Sequence, residues 1–178
     1  LFPRVLAFAA DTPAPGSIDV TFNTQIERID PSGNRYSGAV RSLVVLANDA
    51  ILVGGQFERI NDRPATNLAR LHPDGALDDA FTAGMDLTGE VYAIMPASDG
   101  RLWIGGSSHR IGGQRRVGLA RLMADGALDP SFELLPELTG EVHALLLEHS
   151  GNANSLIVGG HYECLDPLRA RWIRHLGR

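Results

Sequence analysis

The chain of 178 residues has little of what would place it in several common classes of protein. Its only cysteine is Cys164, so no disulfide can form within the chain. No apolar run approaches the eighteen residues that a membrane-spanning helix needs. Lysine and arginine number 16 against 21 acidic residues, and the net charge of −5 opposes a nucleic-acid-binding surface. We therefore expect no membrane span and no nucleic-acid partner.

Motifs for catalysis and for cofactors are also missing. The histidines lack a ligand spacing such as H-E-x-x-H, and His161 with Cys164 offers two ligands where zinc needs three or four. We predict no catalytic residue, no metal site and no cofactor. The aspartates Asp19, Asp78 and Asp129 recur at one motif position, which leaves calcium open as an alternative to an Asx-type cap on a neighbouring turn.

What the chain has is glycine, at 20 residues, and a clear internal repeat. One block begins with G-x-V at intervals of 51 residues, at Gly38, Gly89 and Gly140. A second block follows in phase as NLARLHPDGALDDAF from Asn67 and GLARLMADGALDPSF from Gly118, and its third copy survives only as RWIRHL from Arg171. A fixed period of this length is typical of repeat architectures such as solenoids and propellers.

Each repeat predicts four short strands. The first, Val40 to Leu46 in repeat one, is a nearly continuous apolar run that indicates burial on both faces. The second ends in a glycine pair, which indicates a bulge or a close approach between blades. The third carries L-A-R-L. The fourth, at residues 77–81 and 128–132, fits a strand or equally a turn followed by a Phe anchor.

The order G-x-V-x-A/S-L, D-G, I-L-V-G-G, L-A-R-L and D-G-x-L-D-x-x-F resembles the bacterial delta-60 repeat, a β-propeller family of unassigned function. The resemblance covers Gly16 to Leu176, and the departures are Ile18 for Leu, the degenerate end at residues 169–178, and an extra segment at residues 24–37. It implies an all-β fold of propeller blades, with three four-stranded repeats of about 51 residues, in a protein secreted by a bacterium or held on its surface. It carries over no catalytic residue, since the shared motif is a folding motif.

The predicted organisation has two parts. Residues 1–10 resemble the end of an export signal, because an apolar stretch closes with the small-x-small pattern Ala7-Phe8-Ala9. Residues 11–178 hold a spare outer element at 16–23 and repeats at 38–88, 89–139 and 140–178. Propellers close with about four to eight blades. We therefore expect an incomplete propeller fragment that needs the remaining blades of a longer chain; the alternative is two copies closing a six-bladed ring.

Positions that are equivalent between repeats but differ in chemistry are the candidates for function. Arg41, Tyr92 and His143 each follow the Val of the first strand, and they would meet near one mouth of a channel if that strand is innermost. The loops at residues 57–66, 108–117 and 162–171 form a second set. Variable packing and ordinary hairpin variation are the structural alternatives. The sequence favours a non-enzymatic binding or adhesion module for a protein or a glycan, with an extracellular hydrolase or lyase acting at the channel mouth as the alternative.

Overall fold

The structure, a computed structural model, describes residues 4–5, 22–82, 87–107, 109–132, 139–150, 153–166 and 171–177. The predicted export-signal remnant lies outside these residues apart from Arg4 and Val5, and so does most of the spare outer element. Within the described ranges, no helix is long and apolar enough to cross a membrane.

Antiparallel strands make up nearly all of the regular structure in the described residues. They are β1 (Arg4–Val5), β2 (Thr24–Ile29), β3 (Arg35–Ser37), β4 (Ala39–Val45), β5 (Ile51–Gln56), β6 (Arg59–Ile60), β7 (Arg63–Pro64), β8 (Leu68–Leu71), β9 (Val91–Pro96), β10 (Leu102–Gly106), β11 (His109–Ile111), β12 (Gln114–Arg116), β13 (Leu119–Leu122), β14 (Thr139–Ser150), β15 (Ala153–Asp166) and β16 (Arg171–Gly177), with one short helix, α1 (Asp79–Thr82).

Each repeat folds as a three-stranded antiparallel sheet. The first sheet is β4-β5-β8, the second is β9-β10-β13 and the third is β14-β15-β16. The prediction of four-stranded repeats is therefore wrong in its fourth element. Leu77 and Leu128 each make a single isolated bridge to the neighbouring strand, to Leu71 and Leu122 respectively.

The aspartate of the fourth element explains why the strand stops. Asp78 Oδ1 accepts the N–H of Ala80 at 3.1 Å, and Asp129 Oδ1 accepts the N–H of Ser131 at 2.8 Å. Such Asx turns bend the backbone away from an extended path. The chain then buries Phe81 completely. The alternative of a turn followed by a Phe anchor is confirmed.

The three sheets pack one against the next in chain order. Strand β9 of the second sheet contacts both β4 and β14, so the first strands of successive repeats are neighbours. One apolar cluster joins Leu52 and Leu68 of the first sheet to Leu102 and Ile104 of the second. A smaller cluster joins Leu119 of the second sheet to residues of the third. We call each of these sheet-to-sheet contacts a junction.

The first strand of repeat one is only partly covered on the side that faces away from the second sheet, where Val40 packs on an apolar cluster that contains Val53 and Phe57. Val44 packs into the cluster that it shares with the second sheet. Leu43 and Val45 point the other way and are 50% and 67% exposed. Burial on both faces, which the apolar run predicted, is therefore wrong for β4.

The extra segment of repeat one forms a hairpin, β2–β3. Gly33 lies in its turn with φ of +85°, a conformation that glycine adopts without strain. Ile26 and Glu27 of β2 also pair with β6, which fixes the hairpin to the first repeat.

Candidate functional site

A β-bulge stands at the same place in the first strand of all three repeats. The register between first and second strands shifts between Val40 and Ser42, between Val91 and Ala93, and between Val142 and Ala144. The extra residues are Arg41, Tyr92 and His143, the three positions that the repeat comparison singled out. Bulges commonly re-aim a side chain next to a functional site. We call these three residues the bulge row.

The glycine pairs make the bulges and the junctions possible. A Cβ on Gly55 would overlap the carbonyl oxygen of Ala39, and one on Gly160 would overlap that of Glu141. The first glycine of a pair faces the next sheet instead, since a Cβ on Gly54 would lie 2.7 Å from Val91 Cγ1. The prediction of a bulge or a close approach between blades is confirmed. The second glycine leaves room for the bulge, and the first leaves room for the next sheet.

The bulge row and two glutamates near it make contacts between adjacent repeats. The rings of Tyr92 and His143 stack with centroids 4.7 Å apart and planes 6° from parallel. Arg41 Nη2 lies 3.7 Å from Glu90 Oε2, and His143 Nε2 lies 3.3 Å from Glu141 Oε2. The order across the surface is guanidinium, carboxylate, phenol and imidazole, with a second carboxylate beside the imidazole.

The electrostatic surroundings of Tyr92 show that both carboxylates act on one group. Burial raises the pKa of the Tyr92 hydroxyl, and the negative charges of Glu90 and Glu141 raise it further, while Arg41 opposes them. The hydroxyl therefore gives up its proton less readily than an ordinary tyrosine does. The side chains of Arg41 and His143 are about half exposed, at 51% and 49%, so the row is open to a ligand.

The sequence reasoning missed the two flanking carboxylates. Glu90 and Glu141 follow the glycine of the first strand in repeats two and three, where repeat one has Ala39. The repeat comparison selected positions that differ in chemistry, whereas repeats two and three have the same residue here. The signal that could have found them is their spacing, because residues two apart on a strand lie on one face. Glu90 is two residues before Tyr92, and Glu141 is two residues before His143.

The second candidate set, the loops after the glycine pairs, is built from small hairpins in repeats one and two. Strands β6 and β7 meet at Asn61 and Asp62, and strands β11 and β12 meet at Gly112 and Gly113. All four turn residues have positive φ, between 49° and 76°, as a type I′ turn requires. Asn61 is further tied to the scaffold, because its Oδ1 accepts the N–H of Gln25 at 2.8 Å. The corresponding loop of repeat three lies partly outside the described residues.

The recurring aspartates are engaged by the protein itself. Asp78 Oδ2 accepts from Arg70 Nε and Asp129 Oδ2 accepts from Arg121 Nε, both at 2.7 Å, while each Oδ1 caps its turn. Asp19 lies outside the described residues. No cluster of three or more His, Cys, Asp or Glu side chains suited to a metal ion occurs in the described part of the chain.

A surface pocket of about 220 Å³ lies on the β2–β3 hairpin, lined by Arg28, Ile29, Asp30 and Tyr36. The carboxylate of Asp30 is committed to the hairpin turn, since it accepts the N–H groups of Ser32 and Asn34, each at 2.9 Å. The sequence signal for this pocket is the length of the segment, which the other repeats do not share.

Packed antiparallel sheets with one motif per sheet define a tandem-repeat protein of the all-β class. Residues 46–81 and 97–132 each match the family described as a domain of unknown function (DUF5122) beta-propeller. Two segments of the chain thus match this β-propeller family, which confirms the resemblance read from the motifs. No curated protein and no solved structure matched the chain.

Proposed function

We propose that this chain is a non-enzymatic β-propeller module that binds a glycan at the bulge row. The observation that carries the proposal is the row itself: one bulge, kept in three repeats by glycine, presents three different side chains next to each other. A position needed only for packing would keep one residue type, as the L-A-R-L and L-D-x-x-F motifs do.

The chemistry of the row suits a polyhydroxylated ligand. The carboxylates of Glu90 and Glu141 accept hydrogen bonds, the guanidinium of Arg41 donates them, and the stacked rings offer an apolar surface. A sugar ring has hydroxyls at its rim and C–H groups on its faces, so it can use all three. Because the row stands on strands, its geometry is set before the ligand arrives, which limits the entropy lost on binding.

The test is binding of the purified chain to an array of bacterial and plant glycans, with any hit followed by calorimetric titration. We expect Tyr92→Ala to weaken that binding at least about tenfold, the loss of one good contact. Tyr36→Ala is the matched control, since Tyr36 is an exposed tyrosine on the β2–β3 hairpin. Equal loss in both variants, or no glycan bound by the wild type, would overturn the assignment to the row.

The same experiment addresses the hydrolase or lyase alternative. Bound glycan is incubated with the protein, and the supernatant is analysed for new reducing ends and for unsaturated sugars. We expect neither product. Turnover that Glu90→Gln or Glu141→Gln abolishes would replace the binding module with an enzyme.

We also propose that the module works outside the bacterial cytoplasm, secreted or on the cell surface. The apolar segment that closes with Ala7-Phe8-Ala9 supports this, together with the resemblance to exported proteins. Fractionation of bacteria that express the gene tests it, and recovery in the cytoplasm alone would contradict it.

A further inference from the structure

Two arginines lie directly opposite each other on the β11–β12 hairpin of repeat two. Arg110 pairs with Arg115 in the register of the two strands, and both side chains are exposed. Paired residues of antiparallel strands point to the same face, with Cβ atoms about 4.5–5.5 Å apart, and like charges placed in this way destabilise the pair. The other face of the hairpin is turned inward, since Ile111 is 1% exposed. We call Arg110 and Arg115 the arginine pair.

Within the described part of the chain, no carboxylate forms an ion pair with either arginine. Arg110 Nη2 instead donates to the carbonyl oxygen of Gly113 at 3.0 Å, a neutral acceptor in the turn. The other strand neighbour of Arg110 is Thr88, which makes an isolated bridge to it and carries no charge. The described side chains around the arginine pair therefore leave its two positive charges unbalanced.

The equivalent hairpin of repeat one has one arginine with a carboxylate beside it. Arg59 takes the place of Arg110 and lies opposite Pro64. On its other side, Arg59 pairs in register with Glu27 of β2. A hairpin at this place in the repeat therefore forms without two arginines opposite each other, so the fold does not explain the arginine pair.

The arginine pair lies at the end of the second sheet that carries the bulge row. The N–H of Thr88 donates to the carbonyl oxygen of Arg110 at 3.0 Å, and the N–H of Glu90 donates to Ser107 Oγ at 2.8 Å, close to the start of β11. The sheet belongs to the middle repeat, and its strand β9 contacts both β4 and β14. The arginine pair is thus exposed with both neighbouring repeats in place.

We propose that the arginine pair binds an acidic group of a polysaccharide, a carboxylate or a sulfate. A guanidinium can donate two parallel hydrogen bonds to such a group, and an anion held between the two arginines offsets their repulsion. Nucleic acid suits the surface less well, because the pair is small and the net charge of the chain is −5. The inference rests on the proposed function for the kind of ligand, a glycan, and adds contacts outside the bulge row.

Calorimetric titration at low salt with polygalacturonate, dextran sulfate and neutral dextran tests the proposal. We expect at least one charged polymer to bind at least about tenfold tighter than dextran, and the two charged polymers distinguish carboxylate from sulfate. Arg110→Gln and Arg115→Gln should each weaken that binding at least about tenfold, because each removes a charged hydrogen-bond donor. Arg28→Gln is the matched control, since Arg28 is an exposed arginine on the β2–β3 hairpin and its loss changes the net charge equally.

Thermal melting without ligand separates a binding role from a structural one. Because the two charges of the arginine pair repel each other, Arg115→Gln should keep or raise the melting temperature. A lower melting temperature would show that the pair stabilises the fold, and it would overturn the inference.

The binding data can contradict the inference in other ways. Failure of both charged polymers to bind, binding equal to that of dextran, equal losses in Arg28→Gln and Arg115→Gln, or tighter binding of duplex DNA than of either polysaccharide would each overturn it. Glycan binding that Tyr92→Ala weakens but that shows no preference for charge would overturn this inference and leave the proposed function standing. Binding of a charged polymer that needs Arg115 but not Tyr92 would do the reverse.

Discussion

The first strand of a repeat and the segment that follows it obey different constraints. We call the following segment, residues 46–81 in repeat one and 97–132 in repeat two, the outer part. Residues 46–81 and 97–132 match one family model, and within them one Arg–Asp ion pair occurs twice. Arg70 with Asp78 and Arg121 with Asp129 form ion pairs of equal length, 2.7 Å. Strands β4 and β9 lie outside the matched segments and keep the bulge but change the residue on it.

The difference lies in what fixes each region. In the outer part, side chains carry the fold: the guanidinium of Arg70 lies 4.7 Å above the ring of Phe81 and donates to the carbonyl of Ala124 in the next repeat at 2.8 Å. On the first strand, the bulge depends on backbone and glycine, so the bulged side chain is free to vary. Mutations should therefore lower the free energy of unfolding strongly at the glycines and at the Arg–Asp pairs, and only slightly at the bulge row.

The largest effect is expected where the backbone leaves no room. In Gly160→Ala, the new Cβ overlaps the carbonyl oxygen of Glu141 and lies 2.9 Å from Val142 Cα, so the bulge must move. We expect unfolding free energy to fall by about 3 kcal/mol or more. Gly159→Ala is the matched control, because its Cβ would lie at ordinary distances of 3.5 Å from Ala144 Cβ and 4.0 Å from the Ala144 carbonyl oxygen. Urea denaturation measures both, and equal losses would show that the bulge does not need its glycine.

An intermediate effect is expected at the ion pair of Asp78 and Arg70. Asp78→Asn keeps an oxygen for the turn but removes the charge that faces Arg70 Nε at 2.7 Å. We expect a loss of about 2 kcal/mol near neutral pH, as for a hydrogen bond to a charged group. Asp99→Asn is the control, since Asp99 forms an exposed pair with Arg101 at the same distance of 2.7 Å. If Asp99→Asn lost as much unfolding free energy as Asp78→Asn, the pair of Asp78 with Arg70 would stabilise the fold no more than an exposed ion pair does.

The same pairs predict acid sensitivity. Burial raises the pKa of Asp78, but the hydrogen bond and charge of Arg70 outweigh it, so the pKa lies below the ordinary 3.8. The hydrogen bonds from Ser131 lower the pKa of Asp129 most, and Arg121 lowers it further. A depressed folded-state pKa stabilises the protein above the ordinary value, and this stability disappears as pH falls through the folded-state pKa. Melting temperatures between neutral and strongly acid pH should fall less steeply in Asp78→Asn; parallel curves would contradict this.

The sequence predicted the repeat and the turns because these depend on local chemistry. Gly75 and Gly126 take φ of +85° and +92° at the Asp-Gly turns, and the glycine pairs accompany the bulges. The sequence-based prediction was wrong where the burial of a strand depends on what packs against it. The apolar run that contains Leu43 reads as buried on both faces, yet exposure depends on whether another sheet covers it.

The candidate site was predictable in part for the same reason. Comparing repeats selected Arg41, Tyr92 and His143 by position, but not the ring stack or the approach of Glu90 to Arg41, since these depend on how adjacent repeats pack. The fourth element shows another limit. Its Leu and Phe four residues apart suit a strand and a turn equally, and the hydrogen bond that the Ser131 N–H donates to Asp129 Oδ1 selects the turn.

The smallest effect is expected at Arg41. Its side chain is 51% exposed and its pairing with Glu90 at 3.7 Å is a surface contact, so Arg41→Tyr should change unfolding free energy by no more than about 0.5 kcal/mol. Tyrosine already occupies the equivalent bulge in repeat two, so the backbone accepts it. Arg70→Tyr is the control, because Arg70 holds Asp78, Phe81 and the Ala124 carbonyl together. Urea denaturation of the two variants separates a bulge that is free to vary from a scaffold that is not, and a loss at Arg41 as large as that at Arg70 would remove the distinction.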